Sequence, residues 1–250
     1  MEIQAENPTF HVLFIPGNPG VVSFYKDFLE SLYEFLGGNA SVIGMAALLF
    51  EFDFFESLRW KLFISEFEFV LLISNGGVEL ESVKVPIILV GHSIGSYISL
   101  ELLKKFSDKV VYCIGLYPFL TLNQQSTKQS LIGKLAASSV LSATASFLIA
   151  SLRLLPMSAA RLLVSKSIGA SWSDTAVQAT CTHLRQYHTM RNVLFMAKSE
   201  FREISKQAPH TSLSIEREGH THGFCCTVAG SAWVAQHVAT LIKNRFSQLQ

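Results

Sequence analysis

The run Pro86-Ile87-Ile88-Leu89-Val90 meets Gly91-His92-Ser93-Ile94-Gly95 with no residue between them. Few folds accept that junction. A short, continuous apolar run reads as a strand buried on both faces, as in a parallel sheet. Pro86 is tolerated because it stands at the start of the strand. Ile94 to Phe106 then reads as a helix. G-x-S-x-G between a buried strand and a helix is the nucleophile-elbow pattern. Ser93 must sit in a tight, strained turn, and a side chain at 91 or 95 would strike neighbouring backbone. The helix points its N-terminus at Ser93, so the Ile94 N–H faces a developing oxyanion.

The rest of the chain alternates in the way this junction demands. Phe10 to Ile15 reads as the first buried strand and ends at Pro16-Gly17. Val22 to Leu36 has helical spacing, and Gly37-Gly38-Asn39 stops it. Ala40 to Ile43 and Val110 to Leu116 read as further strands. Val193 to Ala197 fits a strand or a helix end, Leu213 to Ile215 a short strand, and Ala229 to Phe246 a final helix. Residues 44–75 are rich in Phe and fit neither period; Asn75-Gly76-Gly77 marks a turn. Strands alternating with helices predict an α/β fold, with a mostly parallel sheet and helices on both faces. At 250 residues and 49% hydrophobic, the chain suits one domain over 1–250. A helical, apolar insert over 120–192, broken at Pro156, interrupts the alternation. It is expected to cap the carboxyl ends of the strands, where such sheets place their sites.

Charge is distributed unevenly. Net charge is +1, which excludes a general nucleic-acid binder. Yet Lys109 to Ser173 holds no Asp or Glu, while it carries Lys109, Lys128, Lys134, Arg153, Arg161 and Lys166. Within it, Leu135 to Leu152 is an uncharged run of 18 residues, diluted by serine and threonine. Three readings stay open for this segment: a helix lying on a membrane surface, a cap over a pocket, or a membrane span. Surface contact through residues 131–170 is the expectation. Mean hydropathy is +0.34, in keeping with a greasy soluble or peripheral membrane chain. The four cysteines fit no zinc pattern and read as reduced, intracellular thiols. MEIQAENPTF has neither the basic nor the apolar region of a signal peptide, so secretion is not expected.

Three further pieces bear on Ser93. Pro16-Gly17-Asn18-Pro19-Gly20 follows the first strand, where this kind of site takes its second oxyanion N–H. Pro19 has no N–H, so Asn18 or Gly17 is the expected donor. Glu218-Gly219-His220-Thr221-His222-Gly223-Phe224 lies late in the chain, where the order Ser, acid, His puts the general base. His222 is favoured over His220. No carboxylate or cysteine constellation supports a metal reading of this pair, and no cofactor is implied. The acid itself has no convincing candidate. Asp174, Glu200, Glu203, Glu216 and Glu218 fall in the right interval. Glu200 qualifies only if 193–197 is a strand, and Asp174 lies in the helical insert.

IPGNPGVVSFYKDFLESLY, VPIILVGHSIGSYISLELLKKF and EGHTHGF together resemble the lipid droplet-associated hydrolase family, over roughly residues 2–44, 83–200 and 204–247. The resemblance implies an α/β-hydrolase-like fold, Ser93 as nucleophile and His222 as base. It also implies an apolar insert that helps hold the protein on a lipid droplet, with the endoplasmic reticulum or cytosol as further locations. The implied chemistry is hydrolysis of neutral-lipid esters, sterol esters among them. It names no protein partner. The chain departs from the family pattern in three places. No strand is expected before Phe10, residues 45–82 are unusually Phe-rich, and the strand and loop that supply the triad acid are missing. The expectation is therefore a serine hydrolase with impaired activity. The alternative is a non-catalytic, hydrolase-like protein that binds droplets and takes part in lipid storage.

Overall fold

Alternate residues of Phe10–Ile15 (β2) feed two different cores. Val12 and Phe14 face one side of the sheet, and Leu13 and Ile15 face the other. All four are fully buried, which explains why apolar residues point to both faces of the strand and only His11 interrupts the run. The computed structural model describes residues 1–45, 85–119, 125–167, 170–205 and 221–247. Among these, the sheet has five strands in the order β1-β3-β2-β4-β5. They are Glu2–Ile3 (β1), β2, Ala40–Gly44 (β3), Ile87–His92 (β4) and Val110–Leu116 (β5). Every pairing is parallel except β1 with β3.

The helices Lys26–Phe35 (α1) and Val228–Ser247 (α8) cover one face. Phe28 and Leu32 of α1 and Val234, Val238 and Ile242 of α8 pack there on Val12, Phe14, Ile88 and Val90. Ile94–Lys105 (α2) covers the other face, with Leu102 set against Leu13, Ile15, Ile87 and Leu89. The strand–helix alternation therefore folds as the sequence pattern requires.

Three expectations need correction. A strand does precede Phe10: the two residues of β1 pair antiparallel with Ile43 and Val42. The stretch 193–197 is not a strand. It lies inside Tyr187–Ser205 (α7), a helix of 19 residues. Leu194 and Ala197 are buried, which is helical spacing and not the alternation of a strand. Helix thus continues to Ser205, past the predicted end of the insert at 192. Finally, Leu135–Leu152 is not one helix. Ser138 ends Thr127–Ala137 (α3) and caps Ser139–Ser151 (α4), its hydroxyl accepting the Leu141 N–H at 3.3 Å. The two pieces are bent by 99°. Among the described residues, no single helix is long and apolar enough to cross a membrane. Most of the Phe-rich stretch, the Asn75-Gly76-Gly77 turn, Leu213–Ile215 and His220 lie outside the described residues.

The insert is built inside out. Ser142 and Ser146 of α4 are buried, and Arg191 of α7 reaches the Ser142 hydroxyl at 3.4 Å. The apolar side chains of the same helix point outward. Val140 is 75% exposed and Phe147 67%. Leu131 of α3, Leu154 in the turn after α4, and Leu162 and Leu163 of Met157–Lys166 (α5) are exposed as well, Leu154 at 89%. The guanidinium of Arg185 secures that turn by donating to the Leu152 and Leu155 carbonyls at 2.7 and 2.9 Å.

Candidate active site

Ser93 joins β4 to α2 with φ 54° and ψ −120°, a left-handed conformation rare for any residue but glycine. Its neighbours hold it there. The Ser93 N–H donates to the Leu116 carbonyl at 3.0 Å, and the Ser93 carbonyl accepts the N–H of Phe119 at 3.2 Å and of Ser96 at 3.0 Å. Both glycines of the motif are sterically required. A Cβ at Gly91 would lie 2.3 Å from the Gly95 carbonyl oxygen, and one at Gly95 would lie 2.2 Å from that of Ile15. Ile94 opens α2, so its N–H has no carbonyl of its own helix to pair with.

The turn after β2 crosses directly beside the serine. A Cβ on Gly17 would sit 2.8 Å from the Cβ of Ser93. The Gly17 N–H donates to the Tyr25 hydroxyl at 3.2 Å, so that donor is engaged. Asn18 lies one residue further on, and its Nδ2 ties the turn to the Val193 carbonyl of α7 at 3.0 Å.

His222 comes to the elbow on the loop before α8. Phe224, two residues later, fixes its loop by packing edge-on to Phe28, Tyr25 and His92 and by stacking on Tyr117. The imidazoles of His222 and His92 lie 4.8 Å apart between centroids. The bond that ties the loop to the elbow runs from His92 Nε2 to the His222 main-chain carbonyl, at 3.0 Å. Among the described residues, no hydrogen bond joins the His222 ring to Ser93 Oγ. Partial burial lowers the His222 pKa below the ordinary 6.5, which favours the neutral, proton-accepting form. His92 is driven lower, to about 3, first by burial and then by the neighbouring His222.

The acid side is different. Glu200 stands on helix α7, not on a loop after a strand, so the context that qualified it is absent. Its Oε1 is buried without a hydrogen-bond partner, and among the described residues no ion pair or hydrogen bond links it to His222. Asp174, the first residue of the short helix Asp174–Ala179 (α6), is exposed and 3.7 Å from Arg161. Glu203 belongs to α7, whereas Glu216 and Glu218 lie outside the described residues. No group of three or more His, Cys, Asp or Glu side chains that could hold a metal ion occurs among the described residues. Two site residues went unassigned on the sequence alone, His92 and Tyr25. His92 stood inside the quoted motif; Tyr25 lies within the helical run Val22 to Leu36 with no signal of its own.

Burial pushes the Glu200 carboxyl up to about 7, from its ordinary 4.5. The folded chain therefore binds this proton where the unfolded chain releases it. The stability that Glu200 allows is fully present below pH 4.5 and is lost as pH rises through 7. Glu200→Gln is expected to raise unfolding stability at pH 8 by about 2 kcal/mol and to leave it unchanged at pH 4.5. His92 acts in the opposite sense: its contribution is present above 6.5 and is lost as pH falls toward 3. It is common to both proteins, so denaturant curves compared at the two pH values isolate Glu200.

A mostly parallel, two-sided sheet with a G-x-S-x-G turn between an inner strand and a helix defines an α/β-hydrolase-like protein. The chain belongs to the lipid-droplet associated hydrolase family, whose model matches residues 8–250. It is 25% identical to the lipid droplet-associated hydrolase of Dictyostelium discoideum, over 78% of this chain and 63% of that protein. It is 27% identical to the one from Gallus gallus, over 96% of this chain and 75% of that protein. It therefore spans less than two thirds of the length of the first relative. Among solved structures, the mutant dbja delta of DBJA superposes with a TM-score of 0.53 at 12% identity, over 82% of this chain and 69% of that one. That likeness concerns the fold alone.

Proposed function

We propose that this chain is a serine ester hydrolase of neutral lipids, sterol esters among them, working at a lipid-droplet surface with reduced turnover. The observation that carries the reading is the strained Ser93 backbone at the head of α2, with the His222 loop tied to the same elbow. Ser93 Oγ attacks the ester carbonyl carbon while His222 takes its proton. The N–H groups of Asn18 and Ile94 receive the oxyanion. Collapse breaks the ester C–O bond, and the proton passes from His222 to the departing alcohol. Water then cleaves the acyl-enzyme by the same route in reverse. No carboxylate orients the His222 ring among the described residues. Loss of that partner alone costs about 10⁴-fold in turnover where the geometry survives.

The droplet surface is engaged through residues 131–170. Their outward apolar side chains, flanked by Lys134, Arg153 and Lys166, suit a lipid monolayer better than water. The same surface, together with the absence among the described residues of a carboxylate on the His222 ring, favours a second reading: a droplet-binding protein of lipid storage with no turnover. Hydrolysis of short-chain p-nitrophenyl esters separates the two. Weak turnover that disappears in Ser93→Ala supports the hydrolase; a folded wild-type chain at the level of Ser93→Ala supports the second reading.

A further inference from the structure

We infer that Tyr25 and His92 are positioning residues that set the His222 loop and the oxyanion turn against Ser93 through one directional chain of hydrogen bonds. The inference rests on Ser93 and His222 acting as proposed above.

The direction of the chain follows from what each group can do. The His222 main-chain carbonyl only accepts, so His92 Nε2 carries the hydrogen of the 3.0 Å bond. A neutral imidazole then has a bare Nδ1, which accepts the Tyr25 O–H at 2.6 Å. The Tyr25 oxygen in turn accepts the Gly17 N–H at 3.2 Å. Three segments far apart in sequence thus meet: the turn after β2, the elbow, and the loop before α8. The two ends are fixed, since the Gly17 N–H only donates and the His222 carbonyl only accepts. Tyr25 and His92 each accept one bond and donate one between them, which sets the direction of every link. Burial keeps the chain in this state, because it raises the Tyr25 pKa and lowers that of His92, holding both neutral. An orienting carboxylate would act on the His222 ring; this chain acts on its backbone, and it fixes where the ring starts from.

Three variants separate the links. Tyr25→Phe keeps the ring that packs on Phe14 and Phe224 but removes the hydroxyl. His92→Asn can still accept from Tyr25 but is too short to reach His222. His92→Gln can still accept the Tyr25 O–H at Oε1 and donate to the His222 carbonyl from Nε2. Reaction of Ser93 with a fluorophosphonate is expected to slow roughly 10- to 100-fold in Tyr25→Phe and His92→Asn. The loss falls on the reaction step and not on probe binding, with His92→Gln staying close to wild type. Amide hydrogen exchange over residues 221–226 should speed up in the two slow variants only. Equal rates in all proteins overturn the inference, as does an equal loss in both His92 variants. If wild type does not react at all, the hydrolase reading fails, and exchange over 221–226 alone decides the matter. Protection lost in Tyr25→Phe and His92→Asn but kept in His92→Gln supports the positioning chain, and any other pattern overturns it.

Discussion

Aspartate at both Phe147 and Leu154 is expected to lower partition onto phospholipid-coated triacylglycerol emulsions by about 100-fold or more, with far-ultraviolet circular dichroism unchanged. The size follows from the surface each side chain presents. Phe147 is 67% and Leu154 89% exposed, so neither supports the fold. Burying such a side chain in lipid contributes about 1.5–3 kcal/mol, and a charge in its place adds repulsion from the apolar phase. Two positions together exceed the roughly 2.7 kcal/mol that 100-fold requires. The inverted pattern of α4 makes the expectation specific. A cap helix that only roofed a pocket would turn Val140, Phe147 and Leu148 inward and its serines outward, whereas Ser142 and Ser146 are the buried residues. Flotation of both proteins through a density gradient measures the effect. Equal flotation would remove residues 131–170 from the contact.

Gly95→Ala should cost about 3 kcal/mol of stability, the upper end of overpacking in a core. The new methyl group meets the main-chain oxygens of Ile15 and Pro16 at 2.2 and 2.8 Å. Neither can swing aside as a side chain would, because Ile15 is hydrogen-bonded into the middle of the sheet and Pro16 begins the turn beside Ser93. Relief requires β2 and α2 to separate, which opens the contact of Ile15 with Leu102 and its neighbours. Gly133→Ala is the matched control. Nothing lies within 4 Å of its added Cβ, and it stands in helix α3, so a gain of about 0.5–1 kcal/mol is expected there. Urea midpoints of the two variants check both values. Similar midpoints would mean that the approach of α2 to β2 is looser than these distances imply.

The parts of this fold that were legible share one property: the residues that decide them are neighbours in sequence. Ile87–Val90 and Phe10–Ile15 are strands because every position but His11 is apolar, and Gly91 and Gly95 announce a turn that excludes side chains. α7 was ambiguous because Val193 to Ala197 is too short a window to show its period. The helical spacing emerges only when Leu194 and Ala197 are read within all 19 residues from Tyr187 to Ser205. β1 is two residues long and has no pattern at all. In 135–152 the composition was legible and the orientation was not. Hydropathy counts serines as dilution, while the structure puts Ser146 at 0% exposure facing α7 and sends the apolar residues outward. The Tyr25–His92 bond spans 67 positions and the His92–His222 bond 130, so neither leaves a local signal.

Everything proposed for catalysis depends on Ser93 being an activated nucleophile whose base has no orienting acid among the described residues. The direct test is the rate at which a fluorophosphonate labels the native chain at neutral pH, with the adduct mapped by mass spectrometry. The account predicts a single adduct on Ser93 that accumulates slowly, over minutes to hours, and is absent in Ser93→Ala. A folded chain that gives no adduct at Ser93, or one labelled to completion within seconds, would contradict it.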